Sequence, residues 1–154
     1  MSETARAESA TEVLTALHVL EYPYKRSVGP VIGRFLTGLR EGRIEGIKTA
    51  SGTVMVPPAE YDPETAAPLT EFVDVGDAGV VTTWAWVAEP RKNNPLQEPF
   101  AWALIRLDGA DTALLHAVCT SASRMQTGMR VKAKWREERV GHITDIECFE
   151  PEDA

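Results

Sequence analysis

The sequence predicts a mainly β protein: a five-stranded Greek-key barrel of the OB type, preceded by an N-terminal helix and a ribbon-like hairpin segment that carries no metal ligands. Three observations lead there. First, "GVVTTWAWV", "PFAWALIRLD", "TALLHAVCT", "MRVKAKWRE" and "HITDIECFEP" read as strands, the first β-branched and aromatic, with turns marked at Gly128 and Gly141. Second, "MRVKAKWRE" alternates strictly, with Met129, Val131, Ala133 and Trp135 on one side and Arg130, Lys132, Lys134 and Arg136 on the other. Third, "PVIGRFLTGLREGRIEG" carries Val31, Ile32, Phe35, Leu36 and Leu39 at the spacing of one helix face.

Taken in order, residues 1–12 are small and polar with no period, and are expected to be disordered. Pro23 and Gly29-Pro30 interrupt the adjoining stretch, so 1–29 reads as a flexible extension. The helix is expected over 30–45, with Pro30 in its first turn and Gly42 near its end. Gly33 and Gly38 each cost about 1 kcal/mol against alanine. They either permit another backbone to approach or mark a weak surface helix.

Residues 46–69 then read as a hairpin through Thr53–Val56, ended by Pro57-Pro58, with a second small turn at Tyr61-Asp62-Pro63. Two such turns are where a structural ribbon places its Cys-x-x-Cys pairs. Here they hold Thr49, Ala50 and Ser51, then Glu60, Tyr61 and Asp62. The barrel is expected over 70–154, its first strand long and bent around Gly76–Gly79. Its second strand, "PFAWALIRLD", is apolar on both faces, as a central strand should be. The alternation of the last strand slips near Asp145, which suggests a bulge.

The bulk properties narrow the function. A chain of 154 residues buries roughly two-thirds of its unfolded surface and needs neither disulfide nor metal to fold. The net charge of −7 argues against a nucleic-acid backbone as main partner. Cys119 and Cys148 lie in apolar stretches and read as two buried free thiols. The N-terminus lacks the form of a signal peptide, and no apolar run has the length of a membrane span, so a soluble cytoplasmic protein is expected.

No nucleophile–base grouping is visible, and no catalytic residue is assigned. His116, in "LLHAV", reads as a hydrogen-bonded structural histidine, and His142, after Gly141, as solvated; His18 stands apart. The histidines and cysteines have no zinc spacing. Two features could bind a ligand. Trp84, Trp86, Phe100 and Trp102 lie on neighbouring strands and form either barrel core or a face that stacks flat rings. The loop "AEPRKNNPLQEPF" is long for a hairpin, and Arg91 and Lys92 in it could meet nucleotide-like phosphates or simply be solvated. The basic stripe of "MRVKAKWRE" faces water or an acidic partner.

The order of "LREGRIEG", "VPP", "GVVTTWAWV", "PFAWALIRLDGAD", "LLHAV", "TGMRVKAKW" and "CFEPE" resembles the acyl-CoA-associated OB-fold proteins that carry an N-terminal rubredoxin-like zinc ribbon. The resemblance runs from about Pro30 to Glu152. It implies a ribbon whose cysteine pairs fell near Thr49–Gly52 and Glu60–Ala66 and have been lost, so no zinc is expected. Loss of a structural metal removes folding energy from a small ribbon, which a covering partner would restore.

The family resemblance also implies an accessory subunit. Its partner would be a thiolase-like enzyme of the sterol-carrier type, or a MaoC-like enoyl-CoA hydratase. The cysteine-free ribbon after "GPVIGRFLTGLREGRI" is similar to members from actinobacterial steroid-degradation clusters. On this view Val31, Ile32, Gly33, Phe35, Leu36 and Leu39 face the partner, while Trp84, Trp86, Arg91, Lys92 and Phe100 contact the CoA of an acyl-CoA. No covalently bound cofactor, nucleic acid or membrane is expected. A stand-alone carrier of acyl-CoA or a nucleotide-like ligand is the alternative, and a single-strand nucleic-acid binder is disfavoured by charge.

Overall fold

The computed structural model describes residues 13–25 and 27–153. The tail expected to be disordered, residues 1–12, lies outside them. Residues 13–25 have no regular secondary structure, and all of them are exposed.

Helix α1 spans Gly29–Arg40. Gly29 turns the chain at φ +83°, and Pro30 occupies the first turn, where a missing N–H costs nothing. The helix stops at Arg40, short of the expected end at 45, because Gly42 adopts φ +77°. That geometry lets the Arg43 N–H reach the Gly38 carbonyl and the Gly42 N–H reach that of Leu39, both at 3.0 Å, which is the Schellman ending. Gly38 serves this turn: a Cβ there would lie 3.2 Å from the Arg43 carbonyl oxygen. Gly33 admits no backbone in this way, since only Val28 comes within reach.

Strand β1 (Ile44–Lys48) comes next and lies between β2 (Val54–Met55) and β3 (Glu71–Val75), all antiparallel. Gly46 allows β2 to approach: a Cβ on it would meet Val54 and Val56 at about 3 Å. The long bent strand expected around Gly76–Gly79 is two strands in two sheets. Strand β3 belongs to the ribbon, and β4 (Ala78–Val87) belongs to the barrel. The chain changes sheet at Gly76, whose N–H donates to the Asp108 carbonyl at 2.8 Å.

The barrel runs β4, β5 (Phe100–Leu107), β6 (Leu114–Val118), β8 (Ile146–Pro151) and β7 (Arg130–Trp135), and closes β7 onto β4. It is an OB-type barrel, as expected. Strand β7 alternates as its sequence predicts, with Val131 and Ala133 inward and Arg130, Lys132 and Lys134 outward. The slip near Asp145 is a single 3-10 turn, Ile143–Asp145, with an irregular register beyond it opposite Lys134 and Trp135. Strand β6 meets β8 in parallel through one residue pair, Val118 and Phe149. Beside that thin seam Cys119 and Cys148 are joined in a disulfide, with Cα atoms 6.0 Å apart. The expectation of free thiols fails here because the pairing depends on barrel closure between distant segments.

Helix, ribbon and barrel share one core. Phe35 and Leu39 of α1, Ile44 of β1 and Val56 after β2 pack in the same apolar cluster as Val81, Ile105, Leu107, Val131, Ile146 and Phe149. Hydrogen bonds reinforce the join. Asp111 accepts from the Val54 N–H at 2.8 Å and returns its own N–H to the Val54 carbonyl at 2.9 Å. The Thr112 hydroxyl accepts from the Val56 N–H at 2.7 Å and donates to the Val56 carbonyl at 3.0 Å.

This packing sets two measurable outcomes. Phe35→Ala should cost about 3–5 kcal/mol. All four tryptophans lie in the barrel, so their emission and the far-ultraviolet circular dichroism should shift to a lower midpoint together. The disulfide closes a loop of separation 29, worth about 3–4 kcal/mol in a chain-entropy account. Thermal melts with and without reductant, paired with thiol counting, should show the reduced form melting lower.

Candidate functional site

The ribbon turns are built around one carboxylate. Asp62 is only 3% exposed. Its Oδ1 accepts from the N–H groups of Glu64 and Thr65, at 2.8 and 3.1 Å, and so folds the second turn. Its Oδ2 accepts from the Ala50 N–H at 3.2 Å, in the first turn. Hydroxyl groups complete the first turn: Thr49 Oγ1 lies 2.9 Å from Ser51 Oγ and accepts from the Thr53 N–H at 3.1 Å. One aspartate thus joins the two turns where lost cysteine pairs were expected. The groups present do not suit zinc, since they are hydroxyls and a carboxylate already committed to backbone donors. Those donors, from Glu64 and Thr65 first, hold the Asp62 pKa below the usual aspartate value.

A second buried carboxylate joins helix to ribbon. Glu45, 3% exposed, accepts from Arg34 Nη2 at 2.7 Å and pairs with Arg43 Nη1 at 2.8 Å. The Arg34 hydrogen bond lowers the Glu45 pKa against the opposing effect of burial, and Arg43 adds to it. Arg34 also stacks over the Phe72 ring, 4.1 Å from its centroid. A third, Asp145, gathers the N–H groups of Val140, Gly141 and His142 at 2.7–3.1 Å. Burial pushes its pKa up, but these donors outweigh it and hold it below the usual value. The turn so formed brings Arg139 to the end of α1, where its Nε donates to the Arg40 carbonyl at 3.0 Å.

The aromatic set divides between two faces. Thr82 is an extra residue in β4 opposite β5, between Val81 and Thr83. Trp84 and Trp86 therefore join Val81 on the core side rather than sharing a face with Val80 and Thr82. Phe100 and Trp102 point the other way and meet edge-to-face, with centroids 5.2 Å apart, beside Ala117 and the disulfide. Phe100 is 0% exposed, so it cannot stack on a CoA ring. Arg91 and Lys92 are exposed, on a turn tied by the Arg91 N–H to Asn94 Oδ1 at 2.6 Å.

The helix face assigned to a partner is largely used inside the chain. Val31, Phe35 and Leu39 are buried, whereas Ile32, Gly33 and Leu36 stay partly exposed. The apolar period holds, but it faces the chain's own ribbon and barrel. The basic stripe is met within the chain as well: Arg130 pairs with Asp108 and Glu152, each at 2.7 Å, and Lys134 with Glu147 at 3.2 Å. His116 has its Nε2 3.3 Å from the Ile143 carbonyl and lies edge-to-face with Phe149, and burial lowers its pKa. His142 caps the 3-10 turn.

Among the described residues no group of three or more His, Cys, Asp or Glu could hold a metal ion, and no helix is long and apolar enough to cross a membrane. Sequence reasoning passes over Asp62, Glu45 and Asp145 as site residues. Asp62-Pro63 is legible as a turn, but the bond from Asp62 to Ala50 spans residues that only the fold brings together.

Residues 72–136 match the family model of the ChsH2 C-terminal OB-fold domain. A protein of unknown function from the DUF35 family of Sulfolobus solfataricus superposes with a TM-score of 0.57 at 25% identity, over 69% of this chain and 77% of its own. The Ltp2–ChsH2(DUF35) aldolase superposes with a TM-score of 0.61 at 18% identity, over 82% of this chain and 98% of that one, a likeness of fold. No curated protein matches the chain.

The Asp62 bridge makes a signed prediction. Its contribution to stability is fully present above the ordinary aspartate pKa of about 3.9. It is lost as pH falls through the lower folded value. Asp62→Asn should therefore melt below the wild type at pH 7, and the gap should narrow in acid melts at decreasing pH.

Proposed function

We propose that this chain is a non-catalytic accessory subunit of a thiolase-like acyl-CoA enzyme acting in the cytoplasm, in steroid side-chain or related lipid degradation. It stabilises the partner and helps to shape its acyl-CoA channel, while the partner performs the carbon–carbon chemistry. The observation that carries this reading is the match of residues 72–136 to the ChsH2 OB-fold domain. The likeness of fold, over 82% of this chain, to a chain of the Ltp2–ChsH2(DUF35) aldolase supports it. The site residues agree in kind. The buried carboxylates are each spent on backbone or arginine donors, and His116 is spent on a carbonyl, which leaves them structural roles. Within the complex, Arg91 and Lys92 are the groups suited to CoA phosphates, with the half-buried Trp84 and Trp86 nearer the core. A MaoC-like hydratase is the second candidate partner.

Exposed Arg91 and Lys92 also favour the alternative, a free-standing acyl-CoA carrier. The two are separated by gentle capture of the tagged chain from its host, with mass spectrometry of what is captured. A thiolase-like enzyme in stoichiometric amount is expected. Recovery of the chain alone, together with calorimetric binding of CoA thioesters to the isolated chain, would replace this reading with the carrier.

A further inference from the structure

The surface of this chain is unevenly apolar. Of the twelve large apolar side chains that stand exposed in the described residues, eight lie between Val13 and Val28, ahead of the helix, and a ninth is Tyr61 on the ribbon. All three tyrosines of the chain belong to this set. Leu17 is 92% exposed and Leu20 66%, a degree of exposure that water does not favour. Immediately beyond, a groove of about 390 Å³ opens between the start of α1 and the ribbon, with Val31, Leu69 and Phe72 along it and Arg34, Glu60 and Tyr61 at its sides. Pro30 and Val31 line this groove and follow Tyr24 by six and seven residues in the chain, so a partner that takes the peptide can also reach the groove.

The composition of the segment indicates what covers it. Residues 13–24 contain one acidic residue, Glu21, and no lysine or arginine. The chain as a whole is at −7, which opposes attachment to an anionic lipid surface. The centre of a protein–protein interface is depleted in charge and enriched in aromatic residues, tyrosine among them. At 100° per residue, Val13, Leu14, Leu17 and Leu20 fall within about 120° of arc, ahead of Pro23, which ends a helix. Such a segment is too short to hold a helix alone and gains one by laying its apolar stripe in a groove.

Resting on the accessory-subunit reading, we infer that Val13–Tyr24 is a docking peptide that orders against an uncharged apolar groove of the thiolase-like partner, with the Val31–Leu69–Phe72 groove receiving a part of the same partner. The surface that holds the partner is then this exposed end of the chain rather than the buried face of α1.

The test uses the full chain and the thiolase-like enzyme recovered with it. Affinity is measured for the wild type and for the double substitution Leu17→Glu, Leu20→Glu; both positions are exposed, so the fold stays intact, which a melt checks. A loss of at least tenfold in affinity, with amide exchange of residues 13–24 slowed in the wild-type complex, is expected. Tight wild-type binding that the double substitution leaves unchanged overturns the docking peptide and leaves the accessory role standing. Failure of the wild type to bind any thiolase-like enzyme overturns both. Dimerisation of the chain through this segment in light scattering, or its binding to neutral lipid vesicles, assigns the segment to a second copy or a membrane and overturns the inference.

Discussion

Phe35 and Leu39 of the helix sit in the same apolar cluster as Val81, Ile105 and Phe149 of the barrel, and the rest of the architecture depends on that sharing. A ribbon of three short strands buries little surface by itself. Here its Ile44 and Val56 extend into the barrel core, and Asp111 and Thr112 satisfy the backbone of its edge. The ribbon is thereby stabilised by the fold it adjoins.

Buried carboxylates finish what packing begins. Asp62 ties the two ribbon turns together, Glu45 ties the ribbon to α1 through Arg34 and to the turn after it through Arg43, and Asp145 forms the turn that carries Arg139 to the helix end. Each lies in a polar cage of donors, as a buried charge must. A carboxylate that accepts several N–H groups organises a turn much as a metal would, but over shorter reach and with a dependence on acid. The three sit at junctions between elements, so they fix how helix, ribbon and barrel are oriented.

This arrangement decides which surfaces remain for other molecules. Half of the assigned helix face is buried internally, Arg130 and Lys134 of the basic stripe pair with neighbouring acids, and the aromatic residues lie on two faces. What is left is the apolar end formed by Val13–Val28 and the ribbon, and the cationic loop at Arg91 and Lys92. Among the described residues the buried carboxylates are engaged within the chain, while the segment ahead of the helix keeps most of the exposed apolar side chains.

Local spacing was enough to specify the individual elements. The period of Val31, Phe35 and Leu39 specified a helix with one apolar face, the alternation of Val131 and Ala133 specified β7, and Gly29, Gly42 and Gly141 marked turns at positive φ. These depend on neighbours a few residues apart, which is the range over which spacing carries information. Tertiary structure decided what each face meets. It turned the helix stripe inward, split the strand at Gly76, shifted Trp84 and Trp86 onto the core side through the Thr82 bulge, and brought Cys119 to Cys148 across the β6–β8 seam. The Asp62–Ala50 and Glu45–Arg34 contacts belong with these, because each joins groups on different elements, and only the closed fold sets the distance between them.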